Sequence, residues 1–218
     1  GWYYAIYMIN CVGSNNPRSQ ISNNCINTGN ANSTTGSYAW YMSGSGIADI
    51  YNNSFVRETT SSSYCMYISS GGSINMKNNN FYNKAASYAL YVSGGFSVNE
   101  SDYNNFYNGG GAITYFGSAS YNTLQDHQNG AGQDMHSMVS DPSWIVASEC
   151  VTCNDTIGGG GTPLASVTDD INGAARSLTT PDIGAVEYVT PGSFSLGGDD
   201  TLCGNSIIVE AGPAQSVS

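Results

Sequence analysis

YAIYM (residues 4–8), YAWYM (38–42), YCMYI (64–68) and YALYV (88–92) are four versions of one five-residue segment, and AITYF (112–116) is a degenerate fifth. Their first residues are 34, 26, 24 and 24 positions apart. A second marker follows each middle copy: IADIYNNSF (47–55), SINMKNNNF (73–81) and SVNESDYNNF (97–106), with an earlier relative in ISNNCI (21–26). Small-residue pairs, Gly44-Ser45, Gly71-Gly72 and Gly94-Gly95, separate the two markers. A period near 24 that holds two or three short alternating runs and small-residue turns predicts one coil of a solenoid per repeat. A single coil cannot close its own core. Stacking coils about 4.8 Å apart pairs every strand with its counterparts above and below. The expected architecture is all-β, a right-handed parallel β-helix.

Stacking lines up equivalent residues in ladders. The Asn-Asn positions (Asn52 and Asn53, Asn79 and Asn80, Asn104 and Asn105) are expected to hydrogen-bond to their own kind along the axis, a structural role. The five-residue segment alternates, so Ile6 and Met8, Trp40 and Met42, Met66 and Ile68, and Leu90 and Val92 are expected inside. Tyr7, Tyr41, Tyr67, Tyr91 and Tyr115 then face out in a row, with Ala5, Ala39, Cys65 and Ala89 expected to leave that face flat. A phenol offers apolar area with a polar tip, so these five tyrosines are candidate ligand-binding residues for sugar rings or another protein surface. The same row could instead tile a β-helix face or pack under a loop, and a one-residue slip would bury it. The first interval carries about ten extra residues around CVGSNNPRSQ (11–20), expected as a loop on one face. Cys11 and Cys25 flank that loop and are candidates to staple it.

Composition agrees. Only 10% of the 218 residues are charged, against roughly 25% in an ordinary globular domain. Asn and Gly tolerate the left-handed conformation of tight turns, whereas Leu, Glu, Lys and Ala are too sparse for long amphipathic helices. Of the net charge of −11, none comes from residues 1–125, where four acids meet four bases; from Asp126 onward twelve acids face Arg176 alone. Such a balance cannot neutralise a run of phosphates, which excludes nucleic acid and anionic membranes as expected partners. No run approaches the ~18–20 apolar residues that span a bilayer. Cys11, Cys25, Cys65, Cys150, Cys153 and Cys203 fit an oxidising compartment, with Cys150 and Cys153 in a CVTC spacing that lacks the second pair of a zinc site and reads as disulfide cysteines. The absence of an initiating Met or signal peptide is expected of a processed or excised chain.

Repetition stops near Tyr121. QDMHSMVSDPSW (133–144), a Cys- and Gly-rich stretch, and TDDINGAARSLTTPDIGAVEY (168–188) follow. Asp134, Ser137, Asp141 and Pro142 in the first motif, and Asp170, Gly173, Arg176, Pro181, Asp182, Ile183, Gly184, Ala185 and Glu187 in the second, resemble the closing segment of pectin-lyase-like β-helix proteins of the choice-of-anchor Q type. That resemblance covers about a fifth of the chain. It implies a secreted or surface protein of bacteria that use type IX secretion, with coils over 1–145 and a closing segment over 146–190. Arg176, the one base of the acidic half, is expected to pair with Asp170, Asp182 or Glu187. After the VTPGS linker, SFSLGGDDTLCGNSIIVEAG (193–212) resembles the opening strands of Ig-like or PKD-like repeats. This implies that 191–218 begins a β-sandwich domain and that further domains of the same polypeptide are partners. DTI (155–157) and DTL (200–202) resemble a short O-glycan acceptor, with Thr156 and Thr201 as the sites.

Candidates for chemistry are few. Glu100 and Asp102 share a strand face, with Lys77 on the preceding coil. They are candidates for a cation site or for the carboxylates of a polysaccharide lyase or glycoside hydrolase; solvated surface charges explain them as well. Asp126, His127, Asp134 and His136 cluster in sequence, where a metal site would require convergence in space. Calcium is the only cofactor with candidate ligands, Asp169-Asp170 and Asp199-Asp200 among them. The leading expectation is a non-catalytic β-helix segment of a large secreted surface protein with an adhesive, stalk or glycan-contacting role. A carbohydrate-active enzyme and a purely structural spacer are the rivals.

Overall fold

The computed structural model describes residues 2–11, 13–29, 36–44, 46–69, 72–94, 97–152 and 154–188. Cys153, and residues 189–218 with Thr201, Cys203 and the expected start of a sandwich domain, lie outside the described residues. Strands come in triplets: β1 (Tyr3–Ile9), β2 (Ser19–Ser22) and β3 (Cys25–Asn27); β4 (Ser37–Ser43), β5 (Ile47–Tyr51) and β6 (Ser54–Arg57); β7 (Met66–Ser69), β8 (Ser73–Lys77) and β9 (Asn80–Asn83); β10 (Leu90–Ser93), β11 (Ser97–Asp102) and β12 (Asn105–Asn108). First members of the triplets pair only with first members, second with second and third with third, all in parallel. The result is a parallel β-solenoid of about three turns. β13 (Thr114–Gly117) extends the first sheet, and β14 (Ala119–Tyr121) turns back antiparallel along it. The eight-residue helix α1 (Leu124–Ala131) then closes this end, its N-terminus capped by Thr123 and its C-terminus by left-handed Gly132.

The inward columns are the repeats read vertically. Trp40, Met66 and Leu90 stack in the first sheet, Ala48 and Ile74 in the second, and Phe55, Phe81 and Phe106 in the third. All are buried. The phenylalanine rings lie face to face, with centroids 5.1 and 5.3 Å apart. Gly72 shows why small residues separate the markers: its φ is +100°, and a Cβ there would meet the backbone of Gly46 on the neighbouring coil.

The corner between the second and third sheets is two residues long. Its first position is left-handed in every coil: Asn23, Asn52, Asn78 and Tyr103. Its second position forms the asparagine ladder. Asn24 donates to Asn53 (2.8 Å), Asn53 to Asn79 (3.0 Å) and Asn79 to Asn104 (3.0 Å). The same side-chain oxygens also accept backbone N–H groups of the preceding coil. The structure fixes which Asn of each pair aligns. The main column is Asn24–Asn53–Asn79–Asn104, while Asn80 and Asn105 form a second column (2.9 Å) and Asn52 meets Asn78 (3.3 Å). Register counts back from the buried phenylalanine, not from the first Asn of each pair.

The ladder ends on a charge. Buried Asp134 accepts from Asn104 Nδ2 (3.1 Å), Ser101 Oγ (2.9 Å) and Ser137 Oγ (2.6 Å) on Oδ1, and its Oδ2 lies 2.9 Å from His127 Nε2. His127 Nδ1 meets Thr114 Oγ1 at 3.0 Å. Ser101 continues the Met76 column and Thr114 the Leu90 column, so the core columns turn polar where the solenoid is capped. The buried His–Asp pair satisfies them.

Residues 133–188 run back along the second and third sheets and carry β15 (Trp144–Val146) and β16 (Val151–Thr152). Cys150 is bonded to Cys25 in β3. This corrects the Cys11–Cys25 staple expected above. Once β3 stacks under β6, Cys25 faces the closing segment, and Cys11 is exposed and free. Arg176 pairs with Glu187 (3.1 Å) and also donates to Asn23 Oδ1 and to the carbonyls of Gly184 and Ala185, tying this segment to the ladder corner. Glu187 is thus the partner among the three carboxylates expected.

Candidate functional site

Tyr7, Tyr41, Tyr67, Tyr91 and Tyr115 occupy matching positions of β1, β4, β7, β10 and β13. They form one outward column, with ring centroids 5.1, 5.1, 4.9 and 4.3 Å apart. All five keep solvent-exposed surface, and Tyr7 is 54% exposed. The alternation expected from sequence therefore holds across Trp40–Met42, Met66–Ile68 and Leu90–Val92.

The neighbours of this column differ from the expectation of a flat face. Ala39, Cys65 and Ala89 are buried rather than outward, and the tyrosines before them, Tyr38, Tyr64 and Tyr88, join the outward rings, with Tyr38 itself buried beneath its aromatic neighbours. The pleat breaks at this point. The amides of both Ala39 and Trp40 donate to the Cys65 carbonyl, and β7 and β10 begin only after the small residue. Two successive inward residues place the tyrosines at the first and fourth positions on one side. A second column results, Tyr4–Tyr38–Tyr64–Tyr88, with centroids 5.5, 5.9 and 5.3 Å apart. It interleaves with the first, closest at Tyr64–Tyr91 (4.5 Å), and Trp2 stacks on Tyr38. The recurrent Tyr-x-x-Tyr spacing is the sequence signal of this second column, because those residues share a face only where the alternation fails.

This sheet presents nine tyrosines and a tryptophan as one ribbed aromatic surface. Hydrogen bonds of the closing segment to the solenoid go to the second and third sheets and to α1. Burial, then the surrounding phenols, pushes Tyr38 up to about 12; burial, then Tyr115, Tyr64 and Tyr67, does the same for Tyr91. Tyr4, Tyr64 and Tyr67 are also raised, burial being the first cause in each. These phenols stay protonated at neutral pH. The surface is therefore uncharged and apolar, with hydroxyl donors at its edge, which suits stacking against sugar rings or another protein.

The second sheet carries the acidic candidates, and the structure separates them. Asn99 bulges out between Val98 and Glu100. Glu100 pairs with Lys77 at 2.6 Å, whereas Asp102 accepts from the His136 amide (2.7 Å) and meets its Nδ1 (2.7 Å). The His136 ring stacks on Tyr103 at 4.7 Å. The two carboxylates take different partners rather than converging on one point. Asp126, His127, Asp134 and His136 do not converge either: Asp126 lies in the first turn of α1, its amide donating to the Thr123 cap, His127 and Asp134 are buried together, and His136 is exposed. Among the described residues no three His, Cys, Asp or Glu side chains gather as metal ligands would. No described helix is long and apolar enough to cross a membrane. Thr156 is exposed on a turn. No protein-family model, curated protein or solved structure matches the chain.

Proposed function

We propose that this chain is a non-catalytic β-helix module of a secreted surface protein, and that its tyrosine sheet contacts a glycan or a cell-surface partner. The observation that carries the reading is the double aromatic column of the first sheet, whose rings keep exposed surface except at Tyr38, while the closing segment lies on the other two sheets. Contiguous exposed apolar surface of this kind marks interaction sites more often than it is tolerated idly. The disulfide between Cys25 and Cys150 supports an oxidising compartment. The choice-of-anchor Q resemblance of residues 134–142 and 170–187 supports secretion as one part of a longer surface protein. The Lys77–Glu100 pair and the His136–Asp102 contact of the second sheet are each satisfied locally, as surface polar groups are.

Glycan-array and whole-cell binding of the chain, compared with a Tyr41→Ala/Tyr67→Ala/Tyr91→Ala variant, tests this. Removing three adjacent stacking platforms is expected to weaken binding at least tenfold, since one stacked ring contributes on the order of 1 kcal/mol. Circular dichroism should show the β-helix intact. Unchanged binding by the folded variant would refute the tyrosine surface, and no binding across a broad array would favour a spacer.

A further inference from the structure

A separate groove of about 670 Å³ lies between the third sheet and the start of the closing segment. Glu58, Tyr82, Asp141, Ser143, Trp144 and Ile145 line it. Tyr82 of β9 forms its floor, and stacking sets that ring: Tyr107 of β12 is in register with it, the two rings 5.3 Å apart and within 8° of parallel. Trp144 of β15 stands against Tyr82 at 82°, with centroids 5.8 Å apart, as a wall. The Trp144 indole N–H is shielded from solvent and has no acceptor among the described residues.

Carboxylates sit at two edges of this aromatic corner. Glu58 accepts from Asn27 Nδ2 through Oε2 (3.1 Å), and Asp141 accepts from the Ser143 amide through Oδ1 (2.9 Å). Glu58 keeps a second oxygen with acceptor capacity, and the Tyr107 hydroxyl is a further partner of Asp141. Burial, then Asp141, Tyr107 and Glu58, holds the Tyr82 phenol above its ordinary range, which places both carboxylates within electrostatic reach of that ring. No basic residue lines the groove.

We propose that this groove is a binding site for a glycan bearing free amino groups, a glucosaminyl oligosaccharide by chemical class. A pyranose ring offers one apolar face to the Tyr82 floor, and the perpendicular indole fixes its edge. An ammonium group beside Glu58 or Asp141 gains a charge-assisted hydrogen bond and a favourable position against the aromatic rings. The same carboxylates repel uronates. The groove volume falls within the ~300–1,000 Å³ typical of small-ligand sites, room for sugar rings rather than one alkylammonium chain. This site is independent of the tyrosine surface, which lies on a different sheet.

Isothermal titration of the whole chain with a glucosamine tetramer tests the proposal, with N-acetylglucosamine, galacturonate and lysine tetramers as comparators. Saturable binding of the glucosamine tetramer is expected, at least tenfold tighter than that of any comparator. Trp144→Ala, and separately Glu58→Gln/Asp141→Asn, should weaken it at least tenfold while urea unfolding stays cooperative; the triple tyrosine variant should bind as the parent chain does. No saturation at millimolar glucosamine tetramer would overturn the proposal. So would equal affinity for the N-acetylated sugar, equal affinity for the lysine peptide, or loss of binding in the triple tyrosine variant.

Discussion

Asp134→Ala is expected to lower the free energy of unfolding by about 3–5 kcal/mol, the scale on which breaking a buried charged network destabilises a protein. Four donors or partners converge on this carboxylate, and all of them are shielded from solvent or nearly so: Asn104, Ser101, Ser137 and His127. Alanine would strand them together. It would also have to adopt the left-handed backbone of Asp134, φ 60°, which costs a residue without a short polar side chain roughly 1–2 kcal/mol. Asp134→Asn should recover most of the loss. The amide oxygen keeps the three donors at Oδ1, the amide nitrogen faces His127 Nε2, and a neutral imidazole accommodates it by donating from Nδ1 to Thr114 Oγ1. Urea unfolding of the two variants measures the difference. Similar stability in parent and alanine variant would mean that the solenoid is not capped by this network.

The second large effect is expected at Arg57, a base in the middle of an almost uncharged solenoid. Its side chain is fully buried and its partners are all neutral oxygens: Ser37 O and Oγ from Nε, Thr59 O and Asn83 Oδ1 from Nη1, and Ser61 O and Oγ from Nη2. Burial lowers its pKa from the ordinary guanidinium value. The group acts as a clamp on the turn between β6 and β7, holding residues 59–61 against the start of β4 and the end of β9. Arg57→Ala leaves several buried carbonyls without donors and is expected to cost about 3–5 kcal/mol. Arg57→Met fills the volume but not the hydrogen bonds, so it should fall between. Urea unfolding checks both. A neutral Arg57→Ala would mean that the turn does not depend on the clamp.

The repeats made the solenoid legible because in-register stacking demands that the same residue type return after each coil. Phe55, Phe81 and Phe106 could be aligned by eye, and their rings stack. The asparagine column was legible in kind but not in register, since the two-residue corner is counted from the phenylalanine and only the structure shows which Asn of each pair joins the main column. Tyr38, Tyr64 and Tyr88 were missed because period-two alternation was carried across a break in the pleat. Arg57 counted only as one of the four bases that balance the acids of residues 1–125; nothing in its neighbours Val56 and Glu58 signals a buried guanidinium. The Cys25–Cys150 bond and the Glu58–Asp141 groove join the coils to a segment without periodicity, whose path no repeat could fix. Asp134 stood inside a motif noticed for its resemblance, but its place at the end of the ladder needs three dimensions.

Methyl–methyl nuclear Overhauser contacts in a sample labelled at Ile, Leu, Val and Met read the stacking directly. The account predicts Met8–Met42, Met42–Ile68 and Ile68–Val92 as one series, and Ile21–Ile50 and Ile50–Met76 as another. Each links a residue to its counterpart one repeat away. Contacts that exchange these partners, such as Met42 with Met66 in place of Ile68, or that leave the copies without mutual contact, would contradict it.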